Sequence, residues 1–171
     1  MRTKLALTTV LFLSVSLTAT AQDQYKAKFI NAFTRYMNWP EQTRSGFFNI
    51  GVYGSFDLYK LISEETMGRT VGKQNILAIN IIKEGQLDLT DLHILVVGEK
   101  FCTPAILQKI SAQLKGKHTL IVTEEGGVPF GAGIGFITKG SSLGFTYNTE
   151  NIKKQGIMIS KQFEAMGQEA N

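Results

Sequence analysis

The chain has 171 residues, 43% of them hydrophobic and 19% charged, with 18 Lys and Arg against 14 Asp and Glu. That length is one domain's worth, enough to bury roughly 70% of the surface an unfolded chain exposes. Once Arg2 and Lys4 are set aside as part of a removable leader, 16 basic residues face 14 acidic ones, and they are dispersed rather than massed, so a nucleic-acid surface has little electrostatic support.

The leader reads as follows. Arg2 and Lys4 precede an apolar run from Leu5 to Leu17, softened by Thr8, Thr9, Ser14 and Ser16, and Ala19-Thr20-Ala21 forms a small-residue cleavage site before polar Gln22. The run has 13 residues, short of the about 20 that a membrane-crossing helix needs. No cysteine follows it, which disfavours a lipid anchor. Residues 1–21 are therefore expected to be a signal peptide and 22–171 the mature domain, exported and periplasmic.

The first mature element is helical: Phe29, Ile30, Phe33, Tyr36 and Met37 recur at helical spacing, with Lys28, Asn31, Arg35 and Asn38 on another face. Pro40 disfavours helical geometry at Trp39, so the helix should stop near Asn38. Phe47 to Tyr53 reads as a strand, followed by a turn at Gly54-Ser55 and a helix capped by Ser55 that runs to about Glu65. Arg69 to Asn75, centred on Gly72, reads as an extended turn into a strand from Ile76 to Ile82. Leu92 to Val97 is a continuous apolar run of the kind buried on both faces of a sheet. Thr103-Pro104 starts a helix with a cap and a proline at its first position. Its inner stripe is Ile106, Leu107, Ile110 and Leu114, and Gly116 ends it. His118 to Thr123 is a short strand. Gly133 to Lys139 and Leu143 to Asn148 make a hairpin around Gly140-Ser141. Asn148 or Thr149 caps a closing helix, interrupted at Gly156 and resuming through Ile157, Ile159, Phe163 and Met166, and the polar tail from Gly167 should fray.

This order predicts a single α/β domain with Rossmann-like layering: a mostly parallel sheet, an antiparallel edge hairpin and helices on both faces. A small ligand in such a sheet belongs at the carboxyl ends of the strands. Here that rim is Gly54-Ser55, Gly98-Glu99 and Thr123-Glu124-Glu125, so Ser55, Gly98, Glu99, Thr123 and Glu124 are the candidate ligand residues. The carboxylates would favour a cationic or hydroxylated ligand.

Catalytic patterns fail on context. Gly140-Ser141-Ser142-Leu143-Gly144 matches G-x-S-x-G, but it sits in a hairpin rather than a strand-to-helix elbow, and no histidine follows His118. Gly131, Gly133 and Gly135 lead into a strand, not a helix, unlike a dinucleotide loop. His93 and His118 have no Cys or His partner at ligand spacing, so neither a metal nor a cofactor is expected, and each imidazole reads as structurally satisfied. Cys102, the only cysteine, cannot form an internal disulfide and reads as a small buried residue. The chain is not expected to be an enzyme. Phe33, Tyr36 and Trp39 recur every third residue. Phe33 belongs to the core, while Tyr36 and Trp39 could stand partly exposed at the helix end as partner contacts, with Arg35 and Arg69 as polar anchors.

Several blocks, in order, resemble the YfiR/HmsC-like family of periplasmic proteins. Ala27 to Pro40 (AKFINAFTRYMNWP) resembles its opening helix, Phe48 to Gly54 its first strand and Gly68-Arg69-Thr70-Val71 its turn. His93-Ile94-Leu95 resembles its "HIL" strand. Gly133 to Ile137 with Gly144 to Asn148 resembles its glycine-containing hairpin, and Ile157 to Phe163 its closing helix. The resemblance implies an α/β regulator that binds the extracytoplasmic part of a membrane-bound signalling protein. In the best-understood members that protein is a diguanylate cyclase held inactive, and its release raises cyclic-di-GMP and favours biofilm growth. A sensor kinase is a second candidate partner, and dimerisation is common in the family. The chain departs from those members at Leu92, where they carry a cysteine, and at Gly135, where they carry an asparagine, so redox control by internal disulfides does not carry over.

Overall fold

In the computed structural model the described residues are 21–83, 85, 91–140 and 142–170. The signal peptide expected over 1–21 and the Ser141 half of the hairpin turn lie outside them, apart from Ala21, which is helical. Helix α1 covers residues 21–36. It is followed by β1 (Met37–Asn38), β2 (Phe48–Tyr53), α2 (Phe56–Thr66), β3 (Thr70–Val71), β4 (Gln74–Ile81) and β5 (Ile94–Val97). Then come α3 (Pro104–Gln113), β6 (Leu120–Thr123), β7 (Ile134–Lys139), β8 (Ser142–Tyr147), α4 (Thr149–Lys154), β9 (Met158–Ile159), α5 (Lys161–Met166) and β10 (Gln168–Glu169).

The main sheet has the order β10-β8-β7-β6-β5-β2-β4-β3. β4, β2, β5, β6 and β7 run parallel, β8 returns antiparallel to β7, and β3 folds back on β4. Chain order reverses direction across the sheet between β2 and β5, which makes their carboxyl ends the topological switch point of the fold.

Alternation along the strands builds two cores, because successive side chains point to opposite faces. Phe48, Ile50 and Val52 of β2, with Ile94, Val96, Leu120, Val122, Ile134 and Phe136, face α1, α2, Ile152 of α4 and Phe163 of α5. On the other face Tyr53, Leu95, Val97 and Ile121 meet Leu107, Ile110 and Leu114 around α3. Helices therefore cover both faces, as the continuous apolar runs of β5 and β6 require. Phe33 centres an aromatic cluster, 5.0 Å from Phe145 and 5.6 Å from Phe163, both edge-on. Such pairs add about 0.5–1.5 kcal/mol each beyond burial.

The expected caps hold the helices. Ser55 Oγ accepts from Leu58 N at 3.3 Å, and Asn148 Oδ1 accepts from Asn151 N at 2.9 Å. Two expectations at the C-terminus are corrected. Residues 157–159 do not resume a helix: Met158–Ile159 pairs antiparallel with Met37–Asn38, and Ser160 N donates to Tyr36 O at 3.0 Å. The open backbone emerging from α1 offers ladder partners that outweigh the local helical spacing, and α5 restarts only after Ser160 caps Phe163 N at 3.2 Å. The tail does not fray either. Gln168–Glu169 adds a parallel strand beside Thr146–Tyr147, and Ala170 N donates to Tyr147 O at 2.7 Å. Gly167 makes this possible, since a Cβ there would overlap the Phe145 ring.

Candidate functional site

The first candidate region is the strand-end rim. At the switch point it is filled. Gly98 N donates to Tyr53 O at 2.8 Å, and a Cβ on Gly98 would lie 3.0 Å from the Gly54 carbonyl. Phe101, in the turn Glu99–Phe101, stacks on Tyr53 at 4.3 Å between ring centroids and covers Gly54, which holds φ +84°. Ser55 is committed to capping α2. Thr123 is buried, its Oγ1 2.9 Å from Glu124 O and 3.3 Å from Ile134 O. The sequence put a candidate ligand rim at Ser55, Gly98 and Thr123; the Phe101 ring fills its Gly54 end.

Further along the rim, beyond β6, a cavity of about 350 Å³ is lined by Lys26, Glu99, Cys102, Glu124, Glu125 and Thr138, among others. Lys26 reaches it from α1. Its Nζ lies 2.7 Å from Glu124 Oε1 and 3.1 Å from Asp23 Oδ1. Burial alone would lower the pKa of this ammonium, but the hydrogen bonds and negative charge of Glu124 and Asp23 outweigh it and raise the pKa. Cys102, expected to be a plain buried residue, is half-buried and hydrogen-bonded: its Sγ donates to Val97 O at 3.2 Å and accepts from Glu124 N at 3.4 Å. Burial pushes its pKa up. The Glu124 N–H and Lys26 oppose that shift, and the Glu124 and Glu99 carboxylates add to it. The thiol therefore stays protonated and is a poor nucleophile at neutral pH.

The second candidate region is the end of α1. Trp39, expected partly exposed, is only 4% exposed. Its indole N–H donates to His93 O at 3.1 Å, its ring meets Phe48 edge-on at 4.8 Å, and Arg44 Nη2 clamps its carbonyl at 2.9 Å. The physical reason is the chain direction after α1: the β1 pairing turns Trp39 inward beneath β2. Tyr36 is half-buried, with the Arg35 guanidinium 5.8 Å from its ring centroid, and Arg35 is exposed. Met158 lies in β9 beside them, 63% exposed. Arg69 braces the end of α2, donating from Nε to Glu65 O at 2.6 Å and pairing through Nη2 with Glu65 Oε1 at 3.1 Å. That carboxylate also accepts from Asn31 Nδ2 at 2.9 Å, one turn before Arg35 on α1. Arg69, Glu65 and Asn31 thus link α2 to α1, Arg35 lies one turn on from Asn31 with Tyr36 beside it, and Trp39 is in the core.

Both histidines are structural. His93 Nδ1 accepts from Asn49 N at 3.1 Å, so Nε2 carries the proton and donates to Thr43 O at 2.9 Å, while the ring stacks on Phe48 at 4.4 Å. Burial lowers its pKa, against the Thr43 carbonyl and the Asp91 charge, which raise it. His118 holds φ +60° and lies 2.7 Å from Gln155 O through Nδ1. His93 and His118 precede β5 and β6 at the amino ends of the strands, whereas Ser142 sits by the hairpin turn at the carboxyl ends, so the G-x-S-x-G match has no histidine beside it. Among the described residues no group of three His, Cys, Asp or Glu is placed to hold a metal ion, and no helix is long and apolar enough to cross a membrane.

Sequence reasoning missed the Phe101 plug and the Lys26–Glu124 pair. Phe101 carries no periodic signal in its short turn, and Lys26 and Glu124 are 98 residues apart. No curated protein matches the chain. The family model described as YfiR/HmsC-like matches residues 23–166, from the first turns of α1 to the end of α5, and the chain belongs to that family.

Proposed function

We propose that this protein is an exported, periplasmic regulatory adaptor. It binds the extracytoplasmic region of a membrane signalling protein, in the manner of its family a diguanylate cyclase, and biases it toward an inactive state. Family membership across nearly the whole mature domain is the observation that carries this reading. Arg35, Tyr36 and Arg69 are the proposed contact residues, while Trp39 is buried against Phe48 in the core. A tenfold preference for one partner state requires about 1.4 kcal/mol, within the reach of one good interface side chain. Co-purification from envelope extracts tests it. The wild-type chain should recover a membrane signalling protein, and the double variant Arg35→Glu/Tyr36→Ala should lose it while keeping its unfolding midpoint. Equal recovery by both, or recovery of no signalling protein by either, would overturn the reading.

The rim supports a second reading, a small-molecule module, through the 350 Å³ cavity. Glu99, Glu124 and Glu125 there favour a cationic or hydroxylated ligand, and Gly98 and Thr123 immediately precede two of these glutamates in the chain. Equilibrium dialysis with a diamine, repeated on Glu99→Gln, tests it; undetectable binding by the wild type would remove it.

A further inference from the structure

A larger cavity lies elsewhere, between the second half of α3, the turn Val128–Phe130 and the end of α4. Its volume is about 610 Å³, within the range of small-molecule sites, and it shares no lining residue with the rim cavity. Its wall is fixed. Gly131 holds φ +99° against Ser111, where a Cβ would overlap the serine side chain. Asn151 Nδ2 ties down Val128 O at 3.1 Å and Ala132 O at 3.0 Å.

The chemistry of the lining is one-sided. Pro129, Phe130 and Ala112 supply apolar surface, Lys115 and Lys154 supply positive charge, and among the described residues no carboxylate lines the cavity. Neither lysine is a member of the ion pairs that join Lys26 to Asp23 and Glu124 or Arg69 to Glu65. Gln155 also lines the cavity, and its Oε1 is buried without a hydrogen-bond partner, although its backbone carbonyl is engaged by His118. Lysines at helix ends complement the helix dipole. That accounts for the two charges, but not for the open volume or for an acceptor left unmatched, which is costly when buried.

We propose that this cavity binds a small organic anion. Its carboxylate sits between Lys115 and Lys154, its flat apolar body lies on Phe130 and Pro129, and the Gln155 side chain rotates so that its buried Oε1 accepts from one hydroxyl or N–H. This site is independent of the partner-binding reading, because its test reads small-molecule binding alone.

Three probes separate the contributions in NMR titrations of the mature chain: 4-hydroxybenzoate (anion, ring and donor), benzoate (anion and ring) and inorganic phosphate (anion only). 4-Hydroxybenzoate should shift the amides of Ser111, Gly131 and Gln155 saturably, with benzoate weaker and phosphate weakest. Lys115→Gln/Lys154→Gln should weaken both aromatic probes about tenfold or more. Gln155→Leu should reduce 4-hydroxybenzoate to the level of benzoate and leave benzoate unchanged, a pattern that a folding defect would not produce. The proposal is overturned if no probe saturates by about 10 mM. It is equally overturned if phosphate binds as well as the aromatic probes, or if the shifts cluster at Glu99 and Cys102.

Discussion

Replacing Trp39 separates the two roles that its position in the sequence allowed. The ring is 4% exposed and packs edge-on against Phe48 at 4.8 Å. Truncating a buried aromatic to alanine costs about 3–5 kcal/mol in lost transfer energy and residual cavity. The indole hydrogen bond to His93 O adds about 1 kcal/mol. That carbonyl still accepts from Leu120 N at 2.9 Å, so it is not orphaned. The Arg44 clamp bonds the Trp39 backbone carbonyl and survives the change. Trp39→Ala should therefore lose about 4–6 kcal/mol, a large fraction of the about 5–15 kcal/mol typical of a domain, while Trp39→Phe should lose about 1–2 kcal/mol. Because Trp39 is the only tryptophan, urea unfolding should be followed by far-ultraviolet circular dichroism rather than by indole fluorescence. Partner binding by Trp39→Phe should stay within a few-fold of wild type. If Trp39→Ala costs less than about 1 kcal/mol in folding and yet abolishes partner binding, the burial argument fails and Trp39 is a contact residue.

Three further outcomes follow from the same geometry. Burial holds the His93 pKa below its ordinary 6.5, so the unfolded chain takes up a proton that the folded chain resists. Stability should be full above about pH 6.5 and fall as pH drops through that value toward the lowered one, and urea midpoints across this window should show the slope flattening in His93→Gln. Phe101→Ala should open the crevice at Gly54 and Gly98 at a cost of about 1–3 kcal/mol, whereas Gly54→Ala should be worse than its one added methyl implies, because φ +84° is left-handed and the Phe101 ring occupies the Cβ position; thermal melts rank the two. The raised Cys102 pKa predicts that iodoacetamide alkylates the folded chain more slowly than the urea-unfolded chain near pH 8.5, and equal rates would contradict the Val97 and Glu124 contacts.

How much could be read from the sequence tracks how local the determinant is. Ser55, Thr103 and Asn148 cap helices where expected, because a cap needs only a side chain and an N–H three residues on. β5 and β6 were visible as unbroken apolar runs, which is what burial on both faces demands. β1, β9 and β10 were not visible: each is two residues long, too short for any period to register, and each exists only because a distant backbone offers it a ladder. The same limit governs the sites. Tyr36 and Trp39 share a spacing, yet one stays at the surface and the other turns inward, since β1 rotates the chain between them. Glu99 and Glu124 follow the carboxyl ends of β5 and β6, but whether the rim beside them is open depends on where one ring in the following turn comes to rest.

That ring bears on what the fold can do. A doubly wound sheet usually leaves a hollow at its switch point because the loops leaving neighbouring strands diverge. Here Phe101 fills the hollow over Tyr53, and the glycines at 54 and 98 let the two loops close on each other to within 3.0 Å of a virtual Cβ. A crevice closed this way cannot admit a nucleotide-sized ligand without expelling an aromatic ring from its stack. Other ground remains among the described residues: cavities border the start of α1 and the hairpin, the α1–α2 side, the rim held by Lys26, and the space between α3 and α4. Recognition on such ground would rest on charge and shape rather than on enclosing a reacting group, which is what the proposed regulatory role requires.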